Sequence, residues 1–281
     1  MSELFRVVDP SQQEAVKFHL MVLGASGHGK TSFGCTPQHP GLLPALLIDV
    51  DKGLSSITRP GWWPGVRVLE PEDMAAIPKL ATILKLPEAK QPEWARGVKT
   101  VIIDSLSALG EETVAEVAAS PLSDTQSAFQ AGQRDYLIAQ NMLLVAINNL
   151  KAVGVNVIAM AGTSTKEEGS SADLSPGLKK KLQYKWSFIW KLKVVTTASG
   201  AVLHLIETLP KNEKDELKTR HSGFRRLLET ESLPRLKAAG LQSTPANKGI
   251  FVLADPMAAK VPDYAVTLDW FYEQFQKVLD S

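Results

Sequence analysis

A glycine-rich segment near the N-terminus has the spacing of a phosphate-binding loop. Gly24 is followed, after four residues, by Gly29, Lys30 and Thr31, directly behind a short apolar run. Glycines let successive backbone N–H groups point at an anion, while the lysine would contact the β- and γ-phosphates and the threonine hydroxyl would bind Mg²⁺. A glycine-rich turn that binds nothing is the alternative. We predict an ATP and Mg²⁺ site in which the nucleotide contacts Gly24, Ala25, Ser26, Gly27, His28, Gly29, Lys30, Thr31 and Ser32.

A second apolar run, at residues 98–103, ends in an acidic residue, Asp104. A carboxylate at the carboxyl end of a neighbouring strand can hold Mg²⁺ through water. An apolar strand followed by Asp is also what a strand entering a turn looks like. Together with the glycine-rich segment, this run predicts Thr31 and Asp104 as the metal-binding pair, with Lys30 and Asp104 as catalytic residues.

Two more acids, Asp49 and Asp51, follow the apolar run at residues 46–48. Because side chains alternate along a strand, we expect both carboxylates on the same side, where one of them can approach the γ-phosphate. A carboxylate in that position would orient the attacking water. A capped turn before the next helix is the alternative interpretation.

Short apolar runs separated by helical patterns predict the elements that position these residues. The runs are nearly continuous rather than alternating, which is typical of parallel strands covered on both faces. The clearest helical stripe covers residues 135–153 and ends at Gly154. Strand and helix in alternation predict a doubly wound α/β sheet. The predicted strands are 18–23, 46–48, 66–69, 98–103 and 155–161.

The composition changes after residue 161. Residues 162–177 are rich in Ser, Thr and Gly and lead into a group of lysines, which predicts a mobile loop with a basic end. Residues 186–197 and 201–208 read as paired strands around the turn at Gly200. We therefore expect the sheet to end with antiparallel strands.

The C-terminal part shows a weaker pattern. From about residue 227 it is interrupted by prolines, beginning with Pro234, until an amphipathic helical pattern resumes over residues 264–279. This change predicts a core over residues 1–225 and a C-terminal extension over residues 226–281.

The bulk composition is that of one folded α/β core. The 281 residues are 44% hydrophobic and 22% charged, far from the composition of disordered chains, and the net charge of +1 excludes a global basic field for nucleic acid. The single cysteine, Cys35, excludes an internal disulfide. The N-terminus lacks a signal-peptide pattern, so we expect a cytoplasmic protein.

The segments around Asp51 and Asp104 resemble the RecA superfamily. The resemblance rests on Asp-Val-Asp after the second strand and on Ile-Ile-Asp-Ser-Leu after the third. It implies a RecA-like core with a mostly parallel central sheet, flanking helices and antiparallel strands at the C-terminal edge. It also implies that Asp51 is the catalytic carboxylate, where the family usually has Glu, and that Thr163 or Ser164 senses the γ-phosphate.

Within that superfamily, residues 14–225 are most similar to phage and prophage ATPases that assist single-strand annealing and recombination. The similarity rests on Asp104-Ser105, the long helix at 136–153 and the strand that begins at Asn156. It implies a single-stranded DNA partner and a bacterial or phage-infected host cell.

A basic motif over residues 218–223 resembles the finger of RecA-like and DnaB-like hexameric ATPases. In those proteins two cations reach the nucleotide of the adjacent subunit, and here they would be Lys218 and Arg220. The resemblance implies a homo-oligomer, ring or filament, with nucleotide at the subunit interfaces. A solvated basic turn is the alternative.

The segment at 162–185 stands where the RecA superfamily has a DNA-contacting loop. Its lysines could neutralise phosphates and its aromatic residues could stack on bases, whereas a solvated lysine run and a core tryptophan are the alternatives. The residues concerned are Lys166, Lys179, Lys180, Lys181, Tyr184, Lys185 and Trp186.

Two rival functions stay open on the sequence. One is a DnaB-like or packaging-type motor that moves nucleic acid. The other is a nucleotide-gated assembly or regulatory module that does not bind DNA. Stimulation of ATP hydrolysis by DNA favours the recombination interpretation, whereas nucleotide-dependent assembly without a response to DNA favours the module.

Overall fold

The structure is a computed structural model of the 281-residue chain. It describes residues 16–52, 64–71, 76–121, 131–163, 174, 176–211, 216–255 and 260–281.

The strands of the described residues form a single sheet. In chain order they are β1 (His19–Leu23), β2 (Ala45–Asp49), β3 (Val66–Leu69), β4 (Thr100–Asp104), β5 (Asn156–Ala161), β6 (Phe188–Thr196), β7 (Val202–Glu207), β8 (Lys218–Thr219), β9 (Ile250–Leu253) and β10 (Ala265–Val266). Their order across the sheet is β10-β9-β7-β6-β1-β5-β4-β2-β3, and β8 pairs with β6.

The pairing confirms the predicted fold class. The strands from β3 to β6 along this order are all parallel. Antiparallel pairing begins at β6, which pairs with β7 and β8, and continues between β7 and β9. Every residue of β2, β4 and β5 is buried, as expected for parallel strands covered on both faces. The fold is an α/β, RecA-like core with a mostly parallel sheet and antiparallel strands towards its C-terminal edge.

Helices cover the two faces of the sheet. They are α1 (Lys30–Gly34), α2 (Ala76–Leu84), α3 (Leu106–Ala119), α4 (Gln133–Lys151), α5 (Pro176–Gln183), α6 (Ser222–Ala238) and α7 (Leu268–Leu279). Single 3₁₀ turns lie at Glu88–Lys90, Glu93–Ala95 and Pro245–Asn247. Alternate residues of β1 belong to different cores: Met21 and Leu23 pack with α2 to α5, whereas Leu20 and Val22 pack with α1, α6 and α7.

Two predicted features differ from the structure. The basic end of the predicted loop is the helix α5, because Leu178 and Leu182, one turn apart, are buried against the core. The predicted break at Pro234 is wrong, since α6 continues through that residue. Burial of Phe224, Leu228 and Leu236 along one stripe holds α6 on the sheet despite the proline.

The C-terminal residues continue the same sheet and core. The predicted boundary at residue 225 falls inside α6, β9 adds to the sheet beside β7, and β10 pairs with β9. Fully or almost fully buried aromatic side chains of this part, Phe251, Phe271 and Phe275, belong to the core cluster that contains Phe18 and Trp190. The extension is thereby joined to the core through shared packing.

Replacing Phe275 by Ala should lower the free energy of unfolding by about 3–5 kcal/mol, because the ring leaves a cavity between aromatic neighbours. Its ring centroid lies 5.6 Å from that of Phe18, 5.2 Å from that of Phe188 and 5.4 Å from that of Phe224. Denaturant titration measures the change, with Glu273→Ala on the exposed face of α7 as the control. A cost equal to that of the control would contradict the packing described for α7.

Candidate active site

The glycine-rich loop and the predicted acidic residues meet at one edge of the sheet. Leu23, the last residue of β1, is paired with Ala161, the last residue of β5, while Asp49 of β2 is paired with Asp104 of β4. Carboxyl ends of neighbouring parallel strands share an edge, which is where open α/β sheets bind ligands. The glycine-rich loop leaves β1 at this edge, and the acids leave β2 and β4 beside it.

The loop over residues 24–29 has the backbone that its glycines predict. Gly27 and Gly29 have φ angles of 76° and 86°, a region that favours glycine. The backbone N–H of Gly24 donates to the carbonyl of Ala161 at 3.2 Å, which ties the loop to β5. Since α1 begins at Lys30, its first N–H groups have no carbonyl of a preceding helical turn. With only five residues, α1 contributes a weak dipole, so anion binding here depends on these N–H groups.

The ammonium group of Lys30 lies inside this loop. It donates to the carbonyl oxygens of Gly24 at 2.9 Å and of Ala25 at 3.1 Å. Burial lowers the pKa of Lys30, and the charges of Asp104 and Asp51 counteract that shift. A charged ammonium held on carbonyl groups is positioned to exchange them for phosphate oxygens.

Thr31 and Asp104 are in direct contact. The Thr31 hydroxyl donates to a carboxylate oxygen of Asp104 at 2.6 Å. Burial is the largest influence on the Asp104 carboxyl and raises its pKa; the Thr31 hydrogen bond and Lys30 lower it, and Asp51 and Asp49 raise it further. A hydroxyl and a carboxylate oxygen are hard donors of the kind that Mg²⁺ prefers, so the pair fits the predicted metal.

No group of three or more His, Cys, Asp or Glu side chains with metal-binding geometry occurs among the described residues. A Mg²⁺ ion bound with a nucleotide does not require such a group, because it uses one or two protein oxygens together with phosphate oxygens and water. The Thr31 and Asp104 pair is sufficient for that mode of binding.

Asp51 is exposed, and its orientation is fixed by Ser105. One carboxylate oxygen accepts from the Ser105 backbone N–H at 2.8 Å and the other from the Ser105 hydroxyl at 3.2 Å. The same hydroxyl accepts from the N–H of Ala108 and caps α3. Asp49, in contrast, is buried within β2. Of the two predicted acids, Asp51 is therefore the one on the open side of the site.

His204 lies outside every motif predicted from the sequence, and it holds the phosphate-binding loop from β7. Its Nδ1 lies 3.2 Å from the carbonyl oxygen of His28, and Nδ1 of His28 lies 3.2 Å from the carbonyl oxygen of Leu192 in β6. Both partners are carbonyl acceptors, so both rings carry the proton on Nδ1. A Cβ atom at Gly29 would lie 3.2 Å from the His204 ring. The β6–β7 hairpin thus packs directly on the loop.

His204→Ala should raise the dissociation constant for ATP about fivefold, the equivalent of one lost hydrogen bond of about 1 kcal/mol. The loop would have to be ordered by the nucleotide instead of by the hairpin. Titration of a fluorescent ATP analogue measures this, with the exposed Val202→Ala on the same strand as the control. Equal affinities of the two variants would show that the hairpin does not support the loop.

The two predicted sensors of the γ-phosphate come directly after β5, the strand that accepts a hydrogen bond from Gly24 of the loop. Thr163 is half-buried just after β5, and Ser164 lies outside the described part of the chain. The role of Thr163 as a sensor of the γ-phosphate therefore stays a prediction.

The two finger residues lie at the other end of the sheet. Lys218 is paired with Ile189 near the start of β6, and the backbone N–H of Arg220 donates to the carbonyl of Ser187. The phosphate-binding loop, in contrast, follows the last residue of β1. Lys218 and Arg220 are therefore not brought to the loop of their own chain, and their action on a neighbour's nucleotide stays a prediction.

The candidate DNA-contacting residues are divided between surface and core. Trp186 is fully buried, so its predicted role in base stacking is wrong. Lys180, Lys181, Tyr184 and Lys185 are exposed. Lys179 lies in α5, and Lys166 lies outside the described residues.

In the described part of the chain, no helix has the length and apolar character needed to cross a bilayer.

Comparisons with known proteins give a matching family and a similar solved structure. The family model described as "AAA domain" matches residues 17–223, which is well over half of the chain. The KaiC-like protein PH0186 from the hyperthermophilic archaeon Pyrococcus horikoshii OT3 is a similar solved structure, with a TM-score of 0.44 and 12% identity over 68% of this chain and 77% of that one. No curated protein sequence matches the chain. The chain therefore belongs to the AAA domain family.

Proposed function

We propose that this protein binds Mg·ATP and hydrolyses it by attack of a positioned water on the γ-phosphate. The observation that carries this proposal is the 2.6 Å contact between the Thr31 hydroxyl and the Asp104 carboxylate, beside the Lys30 ammonium. Together they form a compact set of one cation and two hard oxygen donors at the mouth of a loop that suits phosphate. Positioning and electrostatic stabilisation are what phosphoryl transfer requires of a protein.

Each residue has a distinct part in this reaction. Lys30 leaves the carbonyl groups of Gly24 and Ala25 and neutralises charge that develops on the phosphate oxygens. Thr31 and Asp104 would hold Mg²⁺, which would supply further positive charge to the transferring group. Asp51 accepts a hydrogen bond from the attacking water and so directs its oxygen towards phosphorus.

We further propose that the complete site is formed between two copies of the chain, with Lys218 and Arg220 acting on the neighbour's ATP. Both residues lie near the start of β6, whereas the loop of their own chain follows the end of the neighbouring strand β1. This separation supports the arrangement. Arg supplies a planar set of donors that matches phosphate oxygens. The oligomer would then be a ring or a filament of identical subunits.

The proposed work coupled to hydrolysis is binding of single-stranded DNA during phage-type recombination or replication. Its support on the molecular surface is the exposed lysine pair Lys180 and Lys181 on α5, followed by the exposed Tyr184 and Lys185. Cations neutralise the phosphates of a strand, and an exposed aromatic ring provides a platform for a base.

The test measures ATP hydrolysis with and without single-stranded DNA at several salt concentrations. We expect DNA to stimulate hydrolysis. The double variant Lys180→Gln and Lys181→Gln should weaken DNA binding and reduce the slope of log affinity against log salt by about 1.4, two phosphate contacts at about 0.7 each. The matched control is Lys237→Gln and Lys248→Gln, whose residues lie in the C-terminal part of the chain.

Three outcomes separate the candidate functions. Stimulation that the α5 variant loses and the control keeps supports the recombination ATPase. Hydrolysis coupled to movement along DNA against a roadblock supports a DnaB-like or packaging-type motor. ATP-dependent assembly with no effect of DNA on the rate rejects both and supports a regulatory assembly module.

A further inference from the structure

Four basic residues meet at the edge of the sheet where β1 and β6 begin, and we call them the edge cluster. Lys151 ends α4, Lys185 precedes β6, Lys218 lies in β8 and Arg220 follows it. Lys218 and Arg220 belong to the proposed finger, whereas no motif in the sequence marks Lys151. Because the phosphate-binding loop follows the far end of β1, one chain cannot bring its own nucleotide to this cluster.

The turn between α5 and β6 fixes the cations before any ligand binds. The Lys151 ammonium donates to the carbonyl of Lys185 and lies 4.6 Å from the centroid of the Trp186 ring. The Arg220 guanidinium donates to the carbonyl of Tyr184 at 2.7 Å. Adjacent carbonyl groups of a single turn therefore hold Lys151 and Arg220 side by side. A site arranged in this way loses little conformational freedom when it binds an anion.

The described side chains that act electrostatically on Lys151 and Lys218 are positively charged. Burial lowers the pKa of Lys151 to about 7, and Lys218, Arg220 and Lys185 add to the shift. Burial and Arg220 lower the pKa of Lys218 to about 8. Among the described residues, every charged side chain that shifts these two pKa values is itself a cation. Like charges held together in this way disfavour one another, and a bound anion would raise both pKa values.

The surroundings of Lys151 also contain polar atoms without partners. Among the described residues, Nε1 of Trp186 and Nε2 of His19 are buried and have no hydrogen-bond partner. Burial lowers the pKa of His19 to about 4, and the charge of Lys151 adds to that shift. Trp186 is fully buried beneath the Lys151 ammonium. Among the described residues, this corner of the molecule thus carries positive charge and two buried polar atoms without partners.

We propose that the edge cluster is an anion-binding site for the terminal phosphate of ATP held by the phosphate-binding loop of a second copy of this chain, with Lys151 as a third cation beside Lys218 and Arg220. The three non-bridging oxygens of a terminal phosphate, which share two negative charges, can accept hydrogen bonds from two ammonium groups and one guanidinium. The inference rests on the proposed function, because the second copy's ATP is the anion. It adds a residue of α4 to the composite site.

The first measurement is the rate of phosphate release at saturating Mg·ATP for the full-length chain. Lys151→Gln should lower kcat about tenfold or more, since a cation that acts on a transferring phosphoryl group is lost. Affinity for a fluorescent ATP analogue should fall little, because the intact loop holds the nucleotide in the ground state and the cluster acts mainly on charge that develops in the transition state. Lys151→Arg should retain most of the rate, and the exposed Lys237→Gln should match the wild type.

Mixing of variants tests the action between subunits. Lys30→Ala chains have an intact cluster and a disabled loop, whereas Lys151→Gln chains have the reverse. Mixed subunits should release phosphate faster than the sum of the separate variants, because an intact cluster then faces an intact loop. Lys185→Gln, which removes an exposed cation without touching the Trp186 ring, gives a second variant for the same mixing, with thermal unfolding of each variant as a check on folding.

The results distinguish this inference from the proposed function. Absence of hydrolysis by the wild-type chain would reject the proposed function. Suppose that the wild type is active and that Lys218→Gln chains regain activity when they are mixed with Lys30→Ala chains. A wild-type rate for Lys151→Gln then overturns only the role proposed for Lys151. A low rate for Lys151→Gln without recovery on mixing overturns action on a second copy. Loss of DNA binding by Lys151→Gln at an unchanged rate would assign the cluster to nucleic-acid phosphates instead and also overturn the inference.

Discussion

Lys30→Ala should lower kcat for ATP hydrolysis at least about 100-fold, the effect of removing one group that stabilises transition-state charge. In the structure the Lys30 ammonium is held by the carbonyl oxygens of Gly24 and Ala25, within reach of the charges of Asp104 and Asp51. Alanine removes the only side-chain cation that the described phosphate-binding loop carries on its own residues 24–32. The loop carbonyls would then face the nucleotide without a positive partner.

The measurement is phosphate release over a range of ATP concentrations, with Mg²⁺ in excess. Affinity for ATP should also fall, because the ammonium contacts phosphate in both the ground state and the transition state. Lys30→Arg separates charge from shape: it keeps the charge, but the broad guanidinium does not fit the position between two loop carbonyls, so we expect it to be impaired as well. Lys85→Ala, an exposed lysine after α2, is the control.

A wild-type rate for Lys30→Ala would contradict the assignment of the site. It would mean that the glycine-rich loop does not bind the transferring phosphate and that hydrolysis occurs elsewhere. Equal loss in the Lys85→Ala control would instead indicate a general effect of removing positive charge from the surface.

The site could be predicted where its signals are local. The loop motif, the strand before it and Asp104 at the end of β4 lie in short segments whose pattern determines their own structure. The parallel sheet could be predicted because its buried strands are nearly continuous apolar runs. The contact of Thr31 with Asp104 follows from these facts, since carboxyl ends of neighbouring strands share an edge.

Features that depend on contacts between distant segments could not be predicted. His204 reaches His28 across 176 positions of sequence only because β6 pairs with β1 and turns back through β7. For Trp186 the sequence left two interpretations open, base stacking and a place in the core, and the cover that Lys151 and the helices of its face provide decides for the core. Pro234 is tolerated because α6 packs on the sheet. In each case tertiary packing decides what local composition leaves open.

Asp51→Asn should lower kcat at least about 100-fold while affinity for ATP is retained, because a general base contributes that much to the chemical step. Both oxygens of Asp51 accept hydrogen bonds from Ser105, at 2.8 Å and 3.2 Å, so the carboxylate has a defined direction. Its charge raises the pKa of Lys30 and of Asp104, which places it close to the phosphate end of the site. Asn keeps the size of the side chain and loses the charge that orients water.

Two further substitutions make this prediction specific. Asp51→Glu keeps the charge and lengthens the side chain to the residue usual in the RecA superfamily, so it should retain activity. Asp49→Asn changes the buried neighbour and tests whether hydrolysis depends on that acid instead. Rates of phosphate release and ATP titrations are needed for all three variants, since only a fall in kcat at unchanged affinity marks an interaction made in the transition state.

The pattern of losses identifies the catalytic acid. A large fall in kcat for Asp51→Asn, with activity retained by Asp51→Glu, agrees with a water-orienting carboxylate at this position. If Asp51→Asn instead hydrolyses ATP at the wild-type rate, the hydrogen bonds to Ser105 serve only to join β2 to the start of α3. The carboxylate that directs water would then have to be sought outside Asp51, and a large loss in Asp49→Asn would point to the buried neighbour.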